Sequence, residues 1–458
     1  MTANRRQVSL NLNVRGMNQS ATLAIKERVR ALRREGRHVH DLGLGQSPFP
    51  VPGPIVEALR LAAPEKDYQP VMGLPALREA VSEFHRRKDG IDRDPQDVLV
   101  GPGSKELMFL LQIAFYGEIL LPTPCWVSYL PQARIIGRRI SLIHASYESE
   151  WKITAEQLRH SLEMVNDATR PRVLVLNYPS NPVGNTYSED ELREIAEVAR
   201  EFGIIILSDE IYGQLHFTGG HVSIAHYYPE GTIQSSGLSK WCGAGGWRLG
   251  TFTFPPDLRW LRDAMAAVAS ETFTSVSAPI QHAAVQAFHC GAEIERYLHH
   301  VRRILAALGL RCAAMLREAR VRVVQPEGAF YLFPDFSPHS DALASRGVTD
   351  GGSMCEKLLE DAGVAAIPGV SFGRSRGELT ARLAYVDFDG AAALAASEMI
   401  PLDQDLPRDF LDKHCRNVLE GVAKMCEWAT TPAKSVAAPA RPAARKAPTQ
   451  IGSARRIQ

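Results

Sequence analysis

The chain has 458 residues, 45% of them hydrophobic and 22% charged, with 52 Lys and Arg against 51 Asp and Glu. This length exceeds what a single core usually fills, and the composition excludes a wholly disordered, fibrous or membrane-embedded chain. A net charge of +1 leaves no global electrostatic footprint for nucleic acid or an anionic membrane, so neither is expected as a partner.

The N-terminus, MTANRRQVSLNLNVRG, has no apolar run after its arginines, which predicts no secretory signal. Seven scattered cysteines without C-x-x-C pairs predict reduced thiols, no metal site and a cytoplasmic location. Helical periodicity spans Ala21–Arg34, and HVHDLGLGQSPFPVPGP follows as an extended, turn-rich segment. Between residues 97 and 254, short apolar runs (VLV, EILLP, RRISLI, RVLVLN, GIIILSD, GTIQSS, RLGTFTF) alternate with helix-length stretches such as SEDELREIAEVAREFG. Apolar strands separated by helices predict an α/β unit with a mostly parallel sheet covered on both faces.

Beyond residue 292 a long helix, short strands near residues 321–333 and 382–386, and a last amphipathic helix over FLDKHCRNVLEGVAKMCEWA predict a smaller α+β domain, joined by the first 50 or so residues. The expected division is 1–55 (arm and part of the small domain), 56–291 (large domain), 292–428 (small domain) and 429–458 (a disordered Ala/Pro-rich basic tail with Lys434, Arg441, Arg445, Lys446, Arg455 and Arg456).

In parallel sheets, ligands bind beyond the carboxyl ends of the strands. That rule selects GPGS at 101–104, PTPCW at 122–126, NYPSN at 177–181, DEIY at 209–212 and SGLSK at 236–240. Taken singly, an Asp after a strand is a helix cap and a Lys or Arg a solvated surface group. Asp209, Lys240 and Arg248 together at the ligand-binding edge of one sheet make a stronger case for chemistry.

The ordered series SATLAIKERV, DLGLGQSPFPVP, YQPVMGLPALREAV, GPGSKELM, PTPCWVSY, NYPSNPVGN, SDEIYGQLHF, SGLSKWCGAGGWRLG, PEGAFYLF, IPGVSFG and RLAYV resembles the aspartate-aminotransferase-like class I/II family of fold-type I pyridoxal-phosphate enzymes, over roughly residues 15–400. The resemblance implies fold type I, pyridoxal 5′-phosphate as cofactor, and ping-pong transfer of an amino group between an L-amino acid and a 2-oxo acid. Lys240 then forms the Schiff base with the cofactor and shuttles a proton. Asp209 sits against the pyridine nitrogen, and Asn181 and Tyr212 bond the phenolate oxygen. Trp126 stacks on the ring. Ser104, Lys105, Ser239 and Arg248 serve the phosphate, with Tyr68 reaching across from the neighbouring subunit of a homodimer. Arg382, helped by Asn181 and Gly45, grips the substrate carboxylate.

Many relatives carry Ser or Thr where this chain has Gly237, a departure that bears on the phosphate contacts of Ser236 and Ser239. Tyr129, Phe49 and Phe330 are candidate walls of the side-chain pocket. Two other readings remain open at this point. A lyase on the same scaffold would use the same lysine, acid and arginines. A non-catalytic regulator needs a DNA-binding domain ahead of the body, for which the match from residue 15 leaves no room.

Overall fold

In the computed structural model, residues 10–17, 19–164 and 169–431 are described. The expected tail at 429–458 lies outside them except for its first residues, since the last helix runs Arg416–Thr430. The strands in chain order are β1 (His40–Asp41), β2 (Val98–Gly101), β3 (Glu118–Thr123), β4 (Ile140–His144), β5 (Arg172–Asn177), β6 (Ile205–Asp209), β7 (Thr232–Gly237), β8 (Gly250–Thr253), β9 (Tyr331–Leu332), β10 (Val364–Ala365), β11 (Ile367–Pro368) and β12 (Ala381–Ala384).

Strands β2 to β8 are the seven apolar runs of the sequence, assembled in the order β2-β8-β7-β6-β5-β3-β4. The pairs β3–β4, β3–β5, β5–β6 and β6–β7 are parallel, while β8 is antiparallel to both of its neighbours. The sheet is mixed but mostly parallel. Its central strands are buried on both faces, which is why they read as continuous apolar runs.

The helix Glu189–Glu201 shows how the covering layer forms. Ser188 caps it in a reciprocal capping box with Glu191, three acidic residues occupy its first turn, and Leu192, Ile195, Ala196 and Ala199 make its buried stripe. Burying a side chain such as Leu192 or Ile195 contributes about 1.5–3 kcal/mol.

The remaining strands form two small sheets, the antiparallel set β11-β12-β9 and the parallel pair β1–β10. The 27-residue helix Ala292–Glu318 packs against the helices Gly390–Glu398 and Arg416–Thr430. Strand β1 joins residues from the chain's start to this C-terminal layer. The amphipathic segment expected at the end is two helices, Phe410–His414 and Arg416–Thr430, broken at Cys415, whose φ of −124° is not helical. Among the described residues no helix is long and apolar enough to cross a membrane.

Candidate active site

The carboxyl edge of the large sheet opens on a cavity of about 530 Å³, within the range of small-molecule sites. Its walls include Gly45, Ser104, Lys105, Trp126, Asn181, Asp209, Tyr212, Ser239, Lys240 and Arg248. Nine of these come from the ends of β2, β3, β5, β6 and β7 and the approach to β8; Gly45 arrives on the loop after β1. Tyr68 and Arg382 do not line the cavity. Tyr68 is 90% exposed on the surface of this chain. Arg382 lies one layer behind, bonding the side chain of Asn181.

Asp209 ends β6 and is 3% exposed. Its carboxylate accepts hydrogen bonds from the Tyr129 hydroxyl (2.6 Å) and the Ser235 hydroxyl (3.3 Å). Burial pushes this carboxyl up to about 6, the two hydroxyl donors only partly opposing it. Its backbone carbonyl accepts from the amide of Asn177, whose side-chain oxygen in turn accepts from the Asn181 N–H at 2.8 Å. The ends of β5 and β6 are thereby locked together.

The Lys240 ammonium donates to the Gly45 carbonyl at 2.9 Å and stands 5.5 Å from the Tyr212 ring centre. The Lys105 ammonium lies 5.1 Å over the Trp126 ring. Burial and the nearby cations Arg248 and Lys240 hold Lys105 below the ordinary lysine range. Three cations thus share one cavity with one carboxylate, Asp209.

Arg248 has a left-handed backbone (φ 57°) and donates to the carbonyls of Gly245 (2.8 Å) and Pro102 (3.3 Å). These bonds place it beside Gly103, the residue before the helix Ser104–Ala114. The approach is close enough that a Cβ on Gly103 would sit 2.1 Å from a guanidinium nitrogen.

Gly237 has a packing reason. A Cβ there would meet the Leu249 carbonyl at 2.7 Å and the Gly250 Cα at 2.9 Å, while Gly250 itself backs onto the Ser104 amide. Three backbones stack at this corner, leaving no space for a side chain at position 237. Of the two serines considered as substitutes, Ser239 faces the cavity and Ser236 does not.

Arg382, in β12, is 2% exposed, donates to Asn181 Oδ1 (3.1 Å) and the Gly43 carbonyl (2.6 Å), and has no carboxylate partner among the described residues. Its Nε is buried without a partner. A buried cation lacking a counter-ion carries a penalty of several kcal/mol, and burial lowers its proton affinity.

None of the three candidate walls, Tyr129, Phe49 and Phe330, lines this cavity. Tyr129 is buried behind it against Asp209, Phe49 packs edge-on to Phe388, and Phe330 packs edge-on to Tyr212. Each is an aromatic group in the layer supporting the site. Sequence reading also passed over Ser235 and Tyr331. Ser235 pairs with Asp209 in the β6–β7 register, so strand phase gives a signal for it. Tyr331 hydrogen-bonds Tyr212 across two elements, and no local spacing reveals that contact.

Comparison with known proteins places this geometry. The family profile described as "Aminotransferase class I and II" matches residues 37–387. An aspartate aminotransferase of Geobacillus stearothermophilus is 33% identical over 375 residues, covering 80% of this chain and 92% of that protein. An asparagine–oxo-acid transaminase of Streptococcus mutans is 31% identical over 419 residues, covering 88% of this chain and 99% of that protein. Among solved structures, an aspartate aminotransferase from Thermus thermophilus with maleate superposes with a TM-score of 0.78 at 28% identity, covering 92% of this chain and all of that one. A lysine, a buried acid and two arginines at the edge of this fold, with a family match over more than half its length, make the chain a member of the aminotransferase class I and II family.

Proposed function

We infer that this protein transfers the amino group of a four-carbon amino acid, aspartate or asparagine, to a 2-oxo acid, with pyridoxal phosphate held on Lys240. Transamination with this cofactor follows from the family and from relatives named as transaminases. The choice of donor rests on those names and, for the acidic donor, on the Lys105 ammonium in the cavity. The observation that carries the reading is that Lys240 and the buried Asp209 open into one cavity beside Arg248.

The residues fit the cofactor. Asp209, held up at about 6 by burial, is a carboxylate that a protonated ring nitrogen would neutralise. Arg248 and the backbone at Ser104, the first residue of a helix, suit a phosphate. When bound, pyridoxal phosphate supplies an aldehyde that condenses with amines and a ring that accepts the electron pair released at the substrate α-carbon.

The chain's own groups do the rest in this proposal. The Lys240 amine would take the proton from the substrate α-carbon and return it to the cofactor's former aldehyde carbon on the other side of the shared nitrogen. Asp209 would keep a proton on the ring nitrogen, while Tyr212 and Asn181 would donate to the phenolate oxygen. Trp126 would flank the ring, and Ser239 would add a donor near the phosphate. Lys105 adds positive charge that favours both the phosphate and an acidic substrate side chain. Arg382, with Asn181 and the backbone of Gly45, receives the α-carboxylate, which supplies its missing counter-ion.

We place the protein in the cytoplasm as a homodimer in which Tyr68 of each chain completes its neighbour's site. The proposed division is 1–55 with 292–428 as the small domain and 56–291 as the large one.

The test is product analysis with ¹⁵N-labelled donors and 2-oxoglutarate. Label is expected in glutamate, with aspartate or asparagine preferred at least about tenfold in kcat/KM over aliphatic and aromatic donors, and no transfer by Lys240→Ala. Preference for an apolar donor removes the substrate assignment; pyruvate and ammonia without an acceptor remove transamination itself.

A further inference from the structure

Tyr331 is 1% exposed and does not line the cavity, yet it touches three residues that belong to the site. Its hydroxyl is 2.8 Å from that of Tyr212. Its ring centre lies 4.8 Å from the Arg382 guanidinium. A Cβ on Gly45 would come within 2.2 Å of its hydroxyl oxygen, so it also braces the backbone proposed to meet the substrate carboxylate.

Strand register fixes this position. Tyr331 of β9 pairs with Ala384 of β12, and Arg382 lies two residues earlier on the same face. The two side chains are therefore diagonal cross-strand neighbours and stack.

The Tyr212–Tyr331 contact has two polarities, because each hydroxyl carries one proton. If Tyr331 donates, the Tyr212 proton is free to point into the cavity; if Tyr212 donates, only its lone pairs face the cavity. The Arg382 guanidinium, 4.8 Å from the Tyr331 ring centre, stands closer than the Lys240 nitrogen, 5.5 Å from that of Tyr212; the nearer cation withdraws more electron density and makes the Tyr331 hydroxyl the better donor, which selects the first arrangement. Hydrogen bonds in such a chain strengthen one another.

We propose that Tyr331 is a positioning residue that aims the Tyr212 hydroxyl at the cofactor phenolate and relays occupancy of Arg382 to the acidity of the Lys240 nitrogen in its link to the cofactor. The inference rests on the functional reading of Tyr212 and Arg382 given above. Donation to the phenolate draws charge from the oxygen that steadies the proton on that nitrogen, so weakening the donation raises the nitrogen's pKa. A carboxylate on Arg382 weakens the pull on Tyr331 and shifts the pKa in the same direction.

Tyr331→Phe keeps the ring under Arg382 and removes the relay. Titrating the visible absorbance of the holoenzyme against pH is expected to show a pKa raised by about half a unit to one unit, and a smaller further rise when maleate is added. Maleate affinity should stay within about twofold of wild type. Tyr331→Leu, which also removes the ring, should weaken it about fivefold.

In a Tyr212→Phe background, Tyr331→Phe should add no further pKa shift. This arm separates a relay from loosened packing, which would shift both backgrounds alike. An unchanged pKa in Tyr331→Phe, or equal shifts in the two backgrounds, overturns the proposal. Absence of a Lys240-dependent absorbance band in the wild type would instead overturn the functional reading beneath it. Should Tyr331→Leu fail to fold, Tyr331→Phe and the double variant decide the matter.

Discussion

At the scale of residues, the cost of holding Asp209 in a dry wall is measurable in the cofactor-free protein. Its folded pKa of about 6 lies above the ordinary value of 3.8. The folded state therefore binds the proton more tightly than the unfolded one, and stability present below about pH 4 is lost as pH rises through about 6. Cofactor-free Asp209→Asn is expected to be more stable than cofactor-free wild type at pH 8 by up to about 3 kcal/mol. That gain opens between pH 4 and 6 and is flat above, as denaturant unfolding at several pH values can establish. A difference independent of pH would remove burial as its cause. The same substitution should abolish transamination, since it takes away the group proposed to hold the ring proton.

Most residues of this wall were legible because they follow apolar runs directly. Asn177, Asp209 and Lys240 stand at or just beyond strand ends, where topology sends ligands. The supporting layer was not. Tyr129 shares the PTPCWVSY run with Trp126, but only three-dimensional packing decides that its hydroxyl meets Asp209 instead of substrate. Tyr331 meets Arg382 through β9–β12 pairing, a long-range event that no local pattern encodes.

At the scale of elements, the proposed phosphate end of the site is a corner where β7, β8 and the start of the helix Ser104–Ala114 meet with almost no side chain between them. All seven strands of the sheet were readable from apolar runs and turn residues, but the closeness of this corner was not, because it depends on how two glycines face each other. Gly237 looked like a missing phosphate ligand and is a steric requirement of Gly250 and Leu249. Gly103, at φ +92° and pressed on Arg248, gives the corresponding prediction. Gly103→Ala must either strain the backbone or displace the guanidinium. Titration of cofactor-free Gly103→Ala with pyridoxal phosphate should show affinity lowered at least about tenfold, with unchanged far-UV circular dichroism. Retained affinity would separate Arg248 from phosphate binding.

At the scale of the whole molecule, the site collects residues from distant stretches of chain: Gly45 after β1, five strand ends of the large sheet, and Arg382 in β12 behind Asn181. Tyr68 is the exception, exposed on a single chain. Sedimentation equilibrium is expected to give twice the chain mass, and Tyr68→Ala to weaken cofactor binding without dissociating the pair. A monomer with full activity would remove Tyr68 from the site.

The central claim, that this cavity exchanges amino groups through Lys240, is tested most directly by the half-reaction. Holoenzyme mixed with excess aspartate and no acceptor should release one oxaloacetate per active site, change its visible spectrum once and stop; 2-oxoglutarate should then restore the original spectrum with release of glutamate. Continued turnover of a single amino acid without an acceptor, or the same spectral change in Lys240→Ala, would contradict it.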